Sequence, residues 1–187
     1  MVTSNANKAR EVEAFFGGSF IVTHIALDIP EHRSDDVAEI ALGKAQFAFD
    51  TLHIPVIVDD TGFSIDALKG FPGPYAAYVL HTIGNEGILK LMTSEENRRA
   101  HFTTAIAYAD GKSTKVFPGT IQGRITRTPR GDRGFGYDPI FEWEGRTLAE
   151  ISLEEKNRIS HRSKALTLFR DWILEAQDLL QASNTNG

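Results

Sequence analysis

Two adjacent carboxylates stand at the end of an apolar run, Ile54-Pro55-Val56-Ile57-Val58-Asp59-Asp60-Thr61-Gly62. The run reads as a strand buried on both faces that ends at the mouth of a sheet. Paired acids there suit a hard divalent cation such as Mg²⁺, which takes oxygen ligands and keeps several waters. They also suit a general base beside a metal-bound phosphate. A solvated strand-to-loop turn uses the same residue types.

Five other segments carry candidate chemistry. Thr3-Ser4-Asn5-Ala6-Asn7-Lys8 passes from strand into helix. Free N–H groups at a helix start, with Lys8 in the first turn, suit a triphosphate; an ordinary capped helix with a solvated lysine looks the same. Glu31, in the loop Asp28-Ile29-Pro30-Glu31, is a candidate further oxygen ligand or a solvated loop acid. Lys44 lies beside the apolar face of a helix, reaching either to phosphate or to water. In Gly131-Asp132-Arg133-Gly134-Phe135-Gly136-Tyr137-Asp138-Pro139 the glycines permit close approach to a ligand. Phe135 and Tyr137 offer faces to a nucleobase, and Asp138 offers a carboxylate to a ligand hydroxyl or to the loop itself.

The run Lys156-Asn157-Arg158-Ile159-Ser160-His161-Arg162-Ser163-Lys164 crowds cations around a helix start, where they oppose the dipole. An anionic ligand would favour them there, while a solvated basic face is the plainer reading. Gly111-Lys112-Ser113-Thr114 imitates the end of a phosphate-binding loop, but the first glycine of that pattern would have to stand where Ile106 is. No zinc-protease helix pattern and no nucleophile elbow occur.

The elements that must position these residues alternate. A stub of strand at Met1–Thr3 leads to a helix capped by Ser4 and Asn5, running to about Phe16 and stopped by Gly17-Gly18. Phe20–Ala26 has strand character. A second helix opens at Asp35-Asp36 and runs to about Thr51, with Val37, Ile40, Ala41, Phe47 and Ala48 on its apolar face. After the Asp-Asp strand comes a Gly/Pro loop, Lys69–Pro74, and a third helix over Gly84–Met92. Phe102–Ala109 and Ser113–Ile125 read as a hairpin turning at Asp110-Gly111. Ser152 caps a short helix. The last helix runs from near Ser160 to about Leu180, with Leu166, Phe169, Trp172, Ile173 and Leu180 as its stripe. Residues 183–187 read as a frayed tail. The mixture predicts α/β or α+β around a mixed sheet.

Composition narrows the classes. The chain has 187 residues, enough for one domain with a substantial core, and 41% are hydrophobic. A net charge of −5 argues against a broad nucleic-acid-binding surface. The absence of cysteine removes disulfides and thiolate metal sites and fits a cytoplasmic chain. The first residues lack the apolar core of a signal peptide, and no run is long enough to span a membrane.

Taken in order, Thr3-Ser4-Asn5-x-x-Lys8, Asp59-Asp60-Thr61-Gly62, Gly70-Phe71-Pro72-Gly73-Pro74-Tyr75, Phe135-Gly136-Tyr137-Asp138-Pro139 and Ser160-His161-Arg162 resemble the inosine triphosphate pyrophosphatase family, in its archaeal form, over nearly the whole chain. The resemblance implies an elongated α/β fold, one domain of two lobes around a long mixed sheet with the active cleft between them, and a homodimer. It implies Mg²⁺-dependent hydrolysis of non-standard purine nucleotides (ITP, dITP, XTP) to monophosphate and pyrophosphate, cleansing the nucleotide pool. Thr3, Ser4, Asn5 and Lys8 would hold the triphosphate, with Thr61 nearby. Glu31, Asp59 and Asp60 would serve the metal, and Asp60 would orient or deprotonate the attacking water. Lys44 and Lys156 would contact phosphate. Phe135 would stack on the base, in a pocket shaped by Gly136, Tyr137 and Asp138. His161 and Arg162 would read the 6-keto group. A Maf-like pyrophosphatase acting on dTTP, UTP or modified nucleotides is the alternative. Family members carry several apolar residues before the first motif; here Thr3 is almost at the start, which leaves the first strand a stub.

Overall fold

In the computed structural model, which describes residues 1–18, 20–30 and 33–184, the apolar run at Val56–Val58 continues well past the two acids. Strand β1 spans Val56–Ile65, so Asp59 and Asp60 stand mid-strand instead of at its end. The strand survives these polar residues because it pairs antiparallel with β3 (Arg99–Ala109) along its whole length. Side chains alternate across a strand. Asp59 therefore faces helices α1 (Ala6–Phe16) and α6 (His161–Asn184), while Asp60 faces α2 (Val37–Leu52).

β3 turns at Asp110-Gly111 into β4 (Thr114–Ile125), as the turn residues predict. Asp110 Oδ1 accepts from the N–H groups of Lys112 and Ser113 at 2.9 and 2.8 Å, and Gly111 takes the positive φ of 81°. Three short strands complete the sheet: β2 (Pro72–Gly73), β5 (Phe141–Trp143) and β6 (Arg146–Thr147), in the order β2-β1-β3-β4-β5-β6.

The outer edge of β1 is the feature that makes a cleft. At one end Val2 bridges in parallel to Val58, and on its other side to Ile25. At the other end β2 pairs with Phe63 and Ser64. Among the described residues no strand covers that edge between these two attachments, at Asp59–Gly62. The N-terminal stub is thus built into the sheet. The expected strand at Phe20–Ala26 shrinks to the single bridge at Ile25, held by Ile25 N–H to the Met1 carbonyl at 2.9 Å and Thr3 N–H to the Ile25 carbonyl at 3.1 Å.

Caps fall where the sequence puts them. Asp36 starts α2 and Ser152 starts α5 (Leu153–Ile159), each accepting from a first-turn N–H. Phe47 departs from expectation: it lies off the α2 stripe of Val37, Ile40, Ala41, Ala45 and Ala48 and is exposed. Helix α3 (Ala76–Thr82) precedes α4 (Gly84–Leu91) and was not expected after the Gly/Pro loop. On α6, Leu166 and Phe169 are buried and Trp172 and Ile173 partly so; the side chain of Leu180, and residues 185–187 of the expected tail, lie outside the described residues.

The core divides along the sheet. Phe63, Phe102, Ile121 and Phe141 pack with α3 and α4 on one half. Val58, Ala105 and Ala107 pack under α2, and Ile106 with Phe16 and Phe169 under α1 and α6, on the other. The dividing line crosses β1 at its uncovered stretch, giving two lobes built on the same three strands. This is a mixed α/β fold with a central sheet flanked by helices; among the described residues its strand pairs are antiparallel, and parallel pairing is confined to the bridges of Val2. No helix among the described residues is long and apolar enough to cross a membrane.

Candidate functional site

The cleft encloses about 510 Å³ between the lobes. At one end it is lined by Asn5, Lys8, Lys44, Asp60 and Thr61; at the other by Phe135, Gly136, Tyr137, Asp138 and Lys156, with His161 and Arg162. The structure thus brings together residues from six separate stretches of sequence. Thr3 and Asp59 stand behind this lining, Ser4 is exposed beside Asn5, and Glu31 lies outside the described residues.

The phosphate-suited end is set by α1. Asn5 Oδ1 accepts from the N–H groups of Asn7 (3.0 Å) and Lys8 (3.2 Å), and Thr3 Oγ1 accepts from Asn5 N–H at 3.1 Å. The cap fixes the first turn so that the Lys8 ammonium reaches the Asp59 carboxylate and its backbone carbonyl. Lys44 reaches over the α2 face to Asp60 Oδ1 at 3.0 Å, so it does not simply run out to water.

Behind the cleft wall lies a buried charge network. Arg162 Nε donates to Asp59 Oδ2 at 2.7 Å, Nη1 donates to Glu11, and Nη2 donates to Thr61 Oγ1 at 3.3 Å. Thr61 shares a 2.7 Å hydrogen bond with the buried Thr104 hydroxyl. Lys156 links Glu11 (2.8 Å) to Asp138 Oδ2 (2.6 Å), which also accepts from Phe135 N–H at 2.7 Å. The Lys156 ammonium sits 4.7 Å from the centre of the Phe135 ring. Three carboxylates thus answer three cations away from water, as buried charges require.

The dipole-opposing cations at the α6 start are therefore explained first by the protein's own acids. Burial would lower the Arg162 guanidinium, but Asp59 and Glu11 keep it above its ordinary value and charged. Burial would raise Asp59, yet Arg162 and then Lys8 hold it well below the carboxylate range. Glu11 is held low in the same way by Arg162 and Lys156. Asp138 goes the other way: burial raises it despite Lys156.

Asp60 is the adjacent acid with the opposite fate. Burial pushes its carboxyl above the ordinary value, against the pull of Lys8 and Lys44. A raised carboxyl in a cleft is the signature of a group set to exchange protons. His161 lies flat on Phe102, rings 4.8 Å apart and 16° from parallel. Burial, with Arg162 and Lys156 nearby, holds the imidazole well below its usual range, so it is neutral. Its Nδ1 is buried without a hydrogen-bond partner among the described residues. A buried unpartnered polar atom calls for an ordered water.

Asp59 has both oxygens engaged by Lys8 and Arg162 and no exposed side-chain surface. In this arrangement it braces the cations. Among the described residues no three His, Cys, Asp or Glu side chains converge on a metal-sized point. Asp60, a hard oxygen donor partly open to the cleft, fits the sparse protein ligation that Mg²⁺ accepts when phosphate oxygens and waters complete its shell.

Two features escaped the sequence reading. Glu11 joins Lys156 to Arg162; its signal is a carboxylate next to Val12 on the buried stripe of α1, where a lone charge is costly. The other is α3, whose Tyr78 and His81, with the preceding Tyr75, line the cleft.

Fold and site together define an α/β protein with a nucleotide-sized cleft, cationic and acidic at one end and aromatic at the other. The chain belongs to the Ham1 family, which it matches over residues 1–172. It is 50% identical over 169 residues to a dITP/XTP pyrophosphatase of Methanopyrus kandleri, covering 89% of each chain. It is 46% identical over 177 residues to one of Thermococcus kodakarensis, covering 93% of this chain and 96% of that one. Among solved structures, the Ham1 protein of Staphylococcus aureus superposes with a TM-score of 0.81 at 31% identity, over 94% of this chain and 98% of the other.

Proposed function

We propose that this chain is a Mg²⁺-dependent nucleoside-triphosphate pyrophosphatase that hydrolyses ITP, dITP and XTP to the monophosphate and pyrophosphate. The observation that carries the reading is the contrast between adjacent acids: Asp59 locked between Lys8 and Arg162 with no exposed side-chain surface, Asp60 facing the cleft beside Lys44. Family membership and the relatives' activity support it.

Asn5, Lys8 and Lys44 hold the triphosphate, with Ser4 and Thr3 shaping the turn behind them. Asp60, with Glu31, would hold Mg²⁺, which when bound would offset the negative charge that builds on the phosphate oxygens. Asp60 takes the proton of the water that attacks the α-phosphorus. The new P–O bond forms as the bond to the β-phosphate oxygen breaks, and pyrophosphate leaves. Phe135 stacks on the base, while Gly136 allows close approach. Asp138 and Lys156 fix the loop. Three of the five Arg162 N–H donors go to Asp59, Glu11 and Thr61; the two that remain, with the neutral His161 ring, would read the 6-keto edge. An adenine amino group there would leave that pairing unmade, which is the basis of rejection.

In this reading the protein acts on the cytoplasmic nucleotide pool as a homodimer, a state that light scattering checks. Incubating ITP with and without Mg²⁺ and separating the products tests the reaction. Inosine monophosphate plus pyrophosphate, only with metal, is expected. Orthophosphate as the first product would overturn the bond assignment.

A further inference from the structure

We propose that Tyr75 and Tyr78 form a second wall of the nucleobase subsite, closing on the purine from the side opposite Phe135; the inference rests on the nucleotide reading above. Helix α3 buries Ala76 and Val79; Tyr75 is its N-cap and Tyr78 stands three residues on, one turn away. The two residues are 55% and 70% exposed, yet both line the cleft that holds Asp60 and Phe135. Neighbouring exposed aromatics facing a cavity mark a surface that a ligand covers.

Two contacts of α3, and one of the adjoining α4 through Asn85, hold this segment beside the base loop, away from the phosphate end. Tyr137 Oη donates to the Ala76 carbonyl at 2.8 Å. The Leu80 side chain comes within 3.8 Å of where a Cβ on Gly136 would stand. Asn85 Nδ2 donates to the Gly136 carbonyl at 3.0 Å. The segment Ala76–Thr82 contains no lysine or arginine, so it offers a phosphate little. A flat purine gains from such rings whatever its edge pattern.

Tetranitromethane nitrates exposed tyrosines, and peptide mass spectrometry reads each site. Saturating inosine monophosphate, a product that is not turned over, is expected to slow nitration of Tyr75 and Tyr78 severalfold. Inorganic tripolyphosphate, which lacks a base, is expected to leave it unchanged. Tyr78→Ala should raise KM for ITP by roughly tenfold through lost stacking, with kcat little changed; Tyr78→Phe should restore it. Wild-type turnover of ITP is measured in the same preparation. Turnover with both tyrosines unprotected by inosine monophosphate, or equally protected by tripolyphosphate, overturns this inference alone. A protein that neither hydrolyses ITP nor binds inosine monophosphate overturns it together with the reading it rests on.

Discussion

Replacing Asp59 and Asp60 with asparagine, one at a time, should separate two neighbouring acids into a stability role and a catalytic role. Asp59 has no exposed side-chain surface and two cationic partners. Removing one member of a buried ion network typically costs about 3–5 kcal/mol, because the remaining charges lose their counter-ion. Glu11 still serves Arg162, so the lower end applies. At a few degrees per kcal/mol for a chain of this size, Asp59→Asn should melt roughly 10 °C early at pH 7. Its carboxyl is depressed in the fold, so its contribution is present above the unfolded value of 3.8 and fades as pH falls below that. The melting gap should therefore narrow near pH 3. Asp60 is raised in the fold, so above that folded value its ionised form costs stability. Asp60→Asn should melt no earlier than wild type at pH 7, while kcat for ITP drops by about 10²–10⁴. Circular dichroism melts at both pH values and steady-state pyrophosphate release measure the four quantities. Equal melting losses for the two variants would refute the division of labour.

Other sites give equally direct tests. A Cβ at Gly119 would lie 2.2 Å from the His161 carbonyl oxygen and 2.5 Å from Ala165 N, both backbone atoms that cannot yield. Gly119→Ala should therefore cost about 3 kcal/mol or more in denaturant unfolding, and near-wild-type stability would contradict the close approach of α6 to β4. His161 should remain neutral down to pH 5.5 in NMR titration; an imidazole midpoint near 6.5 would contradict its burial against Phe102. At Gly134, where φ is +71°, a Cβ would stand 2.1 Å from Asp138 Oδ2. Gly134→Ala should break the charge-assisted bonds of Asp138 to Phe135 and Lys156 at about 1.5–3 kcal/mol. Its KM for ITP should rise; an unchanged KM would remove Asp138 from the shaping of the base loop.

Much of this architecture was legible because local chemistry and fold agree. Asn5, Asp36 and Ser152 cap where they should, and Asp110-Gly111 turns the hairpin. An apolar run followed by Asp-Asp-Thr-Gly carries turn residues and so predicts a strand end at the two acids. Pairing with β3 on one side overrode that local preference. Helix α3 was hidden by the Gly/Pro loop before it, and its short length leaves too little periodicity to recognise. The residues of the cleft were legible as types and order, but their partners were not. That Arg162 is tied to Asp59 and Glu11, more than a hundred residues away, is a tertiary fact which spacing does not encode.

The most direct test of the account is kcat/KM for ITP, XTP, GTP, ATP and dTTP with Mg²⁺, scored as pyrophosphate. ITP and XTP should exceed ATP by at least about a hundredfold, because the base edge is read by hydrogen bonds inside a buried wall. Comparable turnover of ATP, or pyrophosphate chiefly from dTTP, would contradict it.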